Sequence, residues 1–92
     1  MSTDPAVRRR RMAFRAWHRG TREMDLILGR FADSELAGLS QVELDLFEAL
    51  MEWPDPDLYR WVTGEARPPA DIDTVFFKRL RAFHTGAGSL HG

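Results

Sequence analysis

The five residues from Arg19 to Glu23 place charges of both signs beside a glycine at a bend between two predicted helices. Gly20 closes the first helix, because glycine adopts the positive φ of a helix end at low cost. Glu23 lies in the first turn of the next helix, where an acid stabilises the helix dipole by roughly 0.3–1 kcal/mol. Both residues therefore have structural roles, and the concentration of unlike charges on one exposed bend also favours recognition of a polar partner site.

The predicted helix before this bend has two faces. Arginines spaced three or four positions apart fall on one stripe at 100° per residue: Arg8, Arg11, Arg15 and Arg19. Apolar residues lie roughly opposite: Val7, Ala13, Phe14 and Trp17. We interpret the apolar side as the face that docks the helix on the rest of the domain. The basic side is either a solvated face or a docking surface for an acidic protein or for nucleic acid.

Charge is distributed unevenly along the chain, although the 92 residues carry a formal net charge of only -1. Residues 1–22 hold seven arginines and one acid, residues 23–58 hold ten acids and one arginine, and residues 59–92 are slightly basic. This asymmetry predicts either a charged partner or pairing between parts of the same chain. The overall pI of about 6.3 counts against nucleic acid.

Several function classes find no support in the residues. The chain has no cysteine, which excludes disulfides, thiolate metal sites and cysteine nucleophiles. The three histidines, His18, His84 and His91, lack metal-ligand spacing, and no serine lies in a nucleophile-elbow context. No apolar run approaches the ~20 residues that span a bilayer. We therefore expect no catalytic residues, no bound metal and a cytoplasmic protein of bacterial type.

Helix signals divide the chain into five segments and predict an all-α fold, a five-helix bundle in a single domain over residues 1–86. The predicted helices run from Asp4-Pro5 to about Arg19, from Thr21 to near Gly38, from Ser40 to Trp53-Pro54, from Asp55-Pro56 to Gly64, and from near Asp71 to Gly86. Ser40 and Glu43 form a capping box. We expect residues 87–92 to be a flexible tail.

Aromatic residues at helical spacing are more typical of a core than of a ligand site. Trp53 and Trp61 are therefore predicted to be core residues. Phe77 lies off the main apolar stripe of its helix, so we expect it to be the exposed aromatic.

The chain resembles the SdhE-type family, the FAD assembly factors of succinate dehydrogenase. The resemblance rests on the basic run at residues 8–11, on the RGxxE pattern at residues 19–23 with the apolar helix that follows, and on Asp55-Pro56-Asp57-Leu58 with Trp61 downstream. It covers residues 8–80. Thr21 departs from the family, which often has methionine or another apolar residue there, and this affects the packing of the turn.

This resemblance implies a five-helix bundle that binds the flavoprotein subunit of succinate dehydrogenase, and in some bacteria that of fumarate reductase. It implies that the protein promotes covalent attachment of FAD to a histidine of that subunit, without being an enzyme or stably binding a cofactor itself. The family motif carries over to Arg19, Gly20 and Glu23. The partner-binding residues predicted on this basis are Arg11, Arg15, Arg19, Gly20, Glu23 and Asp25.

Further expectations are a monomer when free, no membrane insertion and no nucleic-acid partner. The alternative function is a small regulatory protein that binds nucleic acid through the arginine stripe or resembles an antitoxin. A gel-shift titration at physiological salt would separate this alternative from a flavoprotein partner.

Overall fold

The computed structural model describes residues 4–86, and within this range the chain forms five α-helices, one short 3₁₀ turn and no strand. The helices are α1 (Pro5–Trp17), α2 (Arg22–Glu35), α3 (Gln41–Met51), α4 (Asp55–Val62) and α5 (Val75–Thr85), with the 3₁₀ turn at Leu36–Gly38. The predicted all-α, five-helix fold is confirmed. The predicted tail at residues 87–92 lies outside the described residues.

Side-chain caps fix where the helices begin. Thr21 accepts a hydrogen bond from the backbone N–H of Met24 (3.3 Å) and caps α2. The predicted capping box of α3 is confirmed, because Ser40 Oγ accepts from the Glu43 N–H (3.1 Å) while Glu43 accepts from the Ser40 N–H (2.9 Å). That backbone N–H, with a smaller contribution from Arg79, holds the pKa of Glu43 below its ordinary value. Such caps are worth about 1 kcal/mol each.

Two predicted helix ends were wrong. The fifth helix begins at Val75 and not near Asp71, because Thr74 caps it by accepting from the Phe77 N–H (3.1 Å). The preceding residues form turns, in which the N–H of Ile72 donates to the Pro69 carbonyl (2.9 Å). At the other end of the chain, α1 stops at Trp17, two residues before the predicted Arg19.

Phe31 of α2 lies at the centre of the core. Its ring makes edge-to-face contacts with Phe47 of α3 and with Phe76 and Phe83 of α5, at centroid distances of 5.6 to 5.7 Å. Edge-to-face pairs of this kind add roughly 0.5–1.5 kcal/mol to the burial of the rings. The core therefore joins α3 and α5 through α2.

The predicted exposure of two aromatic side chains was wrong. Phe77 is 1 % exposed, because α5 packs against both α2 and α4 and so buries a wider arc than one stripe. Phe14 is 64 % exposed and stacks on His18 at 4.0 Å. The buried face of α1 instead consists of Met12 and Ala16.

The last residue of α1, Trp17, packs closely against α2 at Gly29. A Cβ atom at this position would lie 2.2 Å from the indole ring of Trp17, which is far inside van der Waals contact. The indole N–H of Trp17 donates to Asp33 one turn further along α2 (3.0 Å). The ring thus lies flat against the glycine and fixes the position of α1, and hence of the bend between α1 and α2.

Candidate docking site at the junction of the first two helices

The bend between α1 and α2 turns at Gly20, whose φ is +113°. No heavy atom lies within 4 Å of the Cβ position at this residue, so glycine is required by the backbone conformation and not by space. The expected positive φ is confirmed. The C-cap of α1 is however His18, whose N–H donates to the carbonyl of Arg15 (3.3 Å).

Arg19 fixes the bend to the junction of α3 and α4. Its guanidinium donates from Nε to Asp55 Oδ1 (2.9 Å), from Nη1 to the carbonyl of Met51 (2.5 Å) and from Nη2 to the carbonyl of Trp53 (2.8 Å). The Arg19 and Asp55 side chains are only 12 % and 15 % exposed. Arg19 therefore satisfies carbonyls at the end of α3 and pairs with the first residue of α4, instead of pointing outward.

Asp25 holds the same bend from the other side. Its Oδ1 accepts a hydrogen bond from the backbone N–H of Arg19 (2.6 Å), which spans the turn from the end of α1 to the first turn of α2. Together with the Thr21 cap, this bond leaves little freedom in the turn. The chain therefore presents the residues between Arg19 and Asp25 on a rigid support.

The arginine stripe is largely paired within the chain. Arg8 pairs with Asp45 (2.6 Å) and Glu48 (2.9 Å) of α3, and Arg15 pairs with Glu52 (2.5 Å). With the Arg19 ion pair, three of the four arginines of the stripe contact acids of residues 23–58. The charge asymmetry of the sequence is thus explained in part by pairing between α1 and the acidic middle of the chain.

A smaller set of charged side chains remains available at the surface. Between residues 8 and 30, five exposed charged side chains form no hydrogen bond or ion pair with the described part of the chain: Arg10, Arg11, Arg22, Glu23 and Arg30. Of the predicted partner-binding residues, Arg11 and Glu23 belong to this set, whereas Arg15, Arg19 and Asp25 have partners in the fold. Glu23 is the acid of the set.

Glu23 stands between two shallow apolar pockets, and Tyr59 of α4 borders both of them. One pocket, which we call the turn pocket, is formed by Thr21, Glu23, Met24, Asp55, Pro56 and Tyr59. The other, which we call the α2/α5 groove, encloses about 210 Å³ and is lined by Glu23, Leu26, Ile27, Arg30, Tyr59, Phe83 and His84. The bend therefore lies beside a continuous recessed surface.

The residues that line this surface away from the bend were not predicted from the sequence. Tyr59 lies off the stripe of Leu58, Trp61 and Val62 that α4 buries, and this offset is the one signal that could have revealed it. Phe83 and His84 reach the groove only because α5 packs beside α2. Burial, together with the nearby positive charge of Arg30, lowers the pKa of His84.

The described part of the chain offers no arrangement for metal binding. No group of three or more His, Cys, Asp or Glu side chains among residues 4–86 could hold a metal ion. None of the helices in this range is both long and apolar enough to cross a membrane. The features that remain are the rigid charged bend and the recessed surface beside it.

The fold and this site define a class: a small helical-bundle protein whose first helix junction presents a rigid charged turn. A family model, Sdh5, described as the flavinator of succinate dehydrogenase, matches residues 10–84. The chain belongs to this family, as the resemblance at residues 8–80 predicted.

Relatives of the chain occur in bacteria and in mitochondria. The FAD assembly factor SdhE of Acetobacter pasteurianus is 39 % identical over 75 residues, which cover 82 % of this chain and 69 % of that protein. The protein of the same name from Coxiella burnetii is 38 % identical over 63 residues, 68 % of this chain and 77 % of that protein. Succinate dehydrogenase assembly factor 2 of Debaryomyces hansenii is 46 % identical over 57 residues, 62 % of this chain but only 40 % of that protein.

Proposed function

We propose that this chain binds the flavoprotein subunit of succinate dehydrogenase and promotes covalent attachment of FAD to it. Membership of the Sdh5 family and the names of the bacterial and mitochondrial relatives support this proposal. Under the same proposal, the flavoprotein subunit of fumarate reductase is a second client, to which FAD is attached by the same chemistry. The encounter takes place in the bacterial cytoplasm, with this chain acting as a monomer.

The observation that carries the proposal is the exposed, unpaired Glu23 on a rigid bend. A carboxylate in water gains little from a surface ion pair, but one that is held in place loses little conformational freedom when a partner covers it. Glu23 has no partner in residues 4–86, and Arg19 and Asp25 fix the backbone on either side of it. This arrangement suits a contact that another protein completes.

The predicted partner-binding residues have different roles under this proposal. Glu23 contacts the client directly, and Gly20 lets the backbone of the bend approach it. Arg19 and Asp25 are positioning residues that hold the bend in shape. Arg11 steers the encounter by its charge, which affects the association rate more than the affinity, and Arg15 contributes mainly through its pair with Glu52 at the end of α3.

The chemistry of flavin attachment resides in the client and its FAD. This chain acts as an assembly factor and not as an enzyme, and it needs no stably bound cofactor of its own. Its contribution is to hold the client so that the receiving histidine and the flavin meet in a reactive geometry. Positioning of this kind can lower a barrier by several kcal/mol.

Reconstitution with purified client tests the proposal. The flavoprotein subunit is incubated with FAD and this chain, and covalent flavin is read as fluorescence of the denatured subunit on a gel. We expect Glu23→Gln to slow flavin attachment, and Glu65→Gln, an exposed glutamate outside both pockets, to have no effect. Equal rates with both variants would contradict the assignment of the bend.

A further inference from the structure

The α2/α5 groove has two charged side chains of opposite sign, and the role proposed for the bend explains only one of them. Glu23 and Arg30 are seven residues apart on α2, so they lie on nearly the same side of the helix and about 10 Å apart along its axis. Both line the groove, and both lack an ion pair within residues 4–86. The groove therefore has an acidic end and a basic end.

The surface between these two charges is apolar. Leu26 and Ile27 of α2 form one wall, and Phe83 of α5 and Tyr59 of α4 form the others. Tyr59 is 40 % exposed. An exposed apolar patch with charged edges is typical of a protein-binding surface.

His84 does not add a second cation to the basic end. Its pKa lies below the ordinary value of 6.5 because it is partly buried and because Arg30 is close. At pH 7 the imidazole is therefore mostly neutral, and Arg30 alone supplies positive charge.

The arrangement of the groove selects among possible occupants. A membrane surface or a polyanion would favour positive charge at both ends, and Glu23 would repel it. A small anion would use Arg30 and leave the apolar wall and Glu23 without a role. A protein segment with charges of opposite sign on either side of an apolar side chain satisfies all three parts of the groove.

We propose that the α2/α5 groove binds a segment of the flavoprotein subunit that carries a basic residue, an apolar residue and an acidic residue in that order over about 10 Å. The basic residue pairs with Glu23, the apolar side chain packs between Leu26 and Phe83, and the acidic residue pairs with Arg30. This inference rests on the proposed function, and it makes the groove the element that fixes the orientation of the client.

Charge reversal at each end of the groove tests the inference. Binding to immobilised flavoprotein subunit is measured for the wild type, Glu23→Lys, Arg30→Glu and the double variant with both changes. Placing like charges together in an interface costs several kcal/mol, so we expect each variant to weaken Kd by at least about tenfold. The double variant presents the reversed order and should also bind weakly.

Two further variants separate the possible causes of weaker binding. Arg10→Glu, on the exposed face of α1 and outside the groove, makes the same change in net charge and should alter Kd less than about threefold. Leu26→Gln removes apolar surface without changing charge and should weaken binding, with little dependence on salt. The loss caused by Arg30→Glu should shrink as salt screens the charges. Circular dichroism of each variant checks that the helices are intact.

The outcomes separate this inference from the proposed function. If the wild type does not bind the flavoprotein subunit, the proposed function fails and the groove has no client. If the wild type binds and Arg30→Glu binds equally well, the groove inference is overturned while the proposed function stands. Weakening by Arg10→Glu as large as that by Arg30→Glu would also overturn it, because net charge would then explain the effect.

Discussion

Replacing Arg19 by methionine should destabilise the protein far more than the same change at Arg15. Both arginines were predicted to lie on one exposed stripe, but the structure gives them different surroundings. Arg19 donates to Asp55 and to two backbone carbonyls, and the pair is only 12 % and 15 % exposed. Arg15 pairs with Glu52 alone, and those side chains are 35 % and 70 % exposed.

The magnitudes follow from this difference in burial. Removing one partner of a largely buried ion pair leaves the other charge uncompensated, and here it also leaves two carbonyls without their donor. We expect Arg19→Met to lower the free energy of unfolding by about 2–4 kcal/mol. The exposed pair of Arg15 contributes less than about 1 kcal/mol. A domain of this size loses roughly 4–8 °C of Tm per kcal/mol.

Urea unfolding followed by circular dichroism gives both free energies on the same scale. Asp55→Asn is a second test, because it removes the charge of the partner while retaining its size. Together with the double variant, it measures the coupling between the two residues. Equal losses for Arg19→Met and Arg15→Met, or a coupling energy near zero, would refute the assignment of Arg19 as the residue that holds the bend.

The remaining predictions concern packing, acid stability and the outer face of α1. Gly29→Ala should destabilise by about 1–3 kcal/mol because its Cβ would displace the Trp17 ring, whereas Gly38→Ala has open space and should be nearly neutral in the same urea titration. Arg79 donates to the carboxylate of Glu35 and lowers its pKa. This ion pair therefore stabilises the fold above the ordinary pKa near 4.5, and the stabilisation is lost as the pH falls through the lower pKa of Glu35 in the folded protein. Arg79→Met should therefore cost below about 1 kcal/mol at pH 7, and the difference from the wild type should vanish in acid; a difference that persists there would contradict this. Phe14→Ser should leave the unfolding free energy within about 0.5 kcal/mol, and a loss of several kcal/mol would show that the side chain is buried in solution.

Local features of the fold could be predicted from the sequence because their causes are local. The Ser40 and Glu43 capping box and the glycine at the bend depend on residues a few positions apart. The end of α5 at Gly86 also follows from a single residue. The start of α5 could not be predicted, because several residues that can cap a helix lie close together there. Turns occupy the residues before Thr74, and Thr74 is the residue that caps α5.

The candidate site was harder to predict because its contacts are distant in sequence. Arg19 and Asp55 are 36 positions apart, and nothing in the helical spacing shows that the arginine turns inward. The groove beside Glu23 combines side chains from α2, α4 and α5, so it exists only once these helices have packed. Periodicity did not identify the buried face of α1 correctly, and it does not predict which exposed residues of different helices come together.

Site-specific photocrosslinking tests most directly whether the surface beside Glu23 meets the flavoprotein subunit. Tyr59 and Phe14 are both exposed aromatics, 40 % and 64 %, so benzoylphenylalanine is a modest change at either position. Tyr59 borders both pockets, whereas Phe14 lies on the outer face of α1. We predict a crosslink to the flavoprotein subunit from position 59 and none from position 14. A crosslink from position 14 with none from position 59 would contradict the proposed contact between this surface and the flavoprotein subunit.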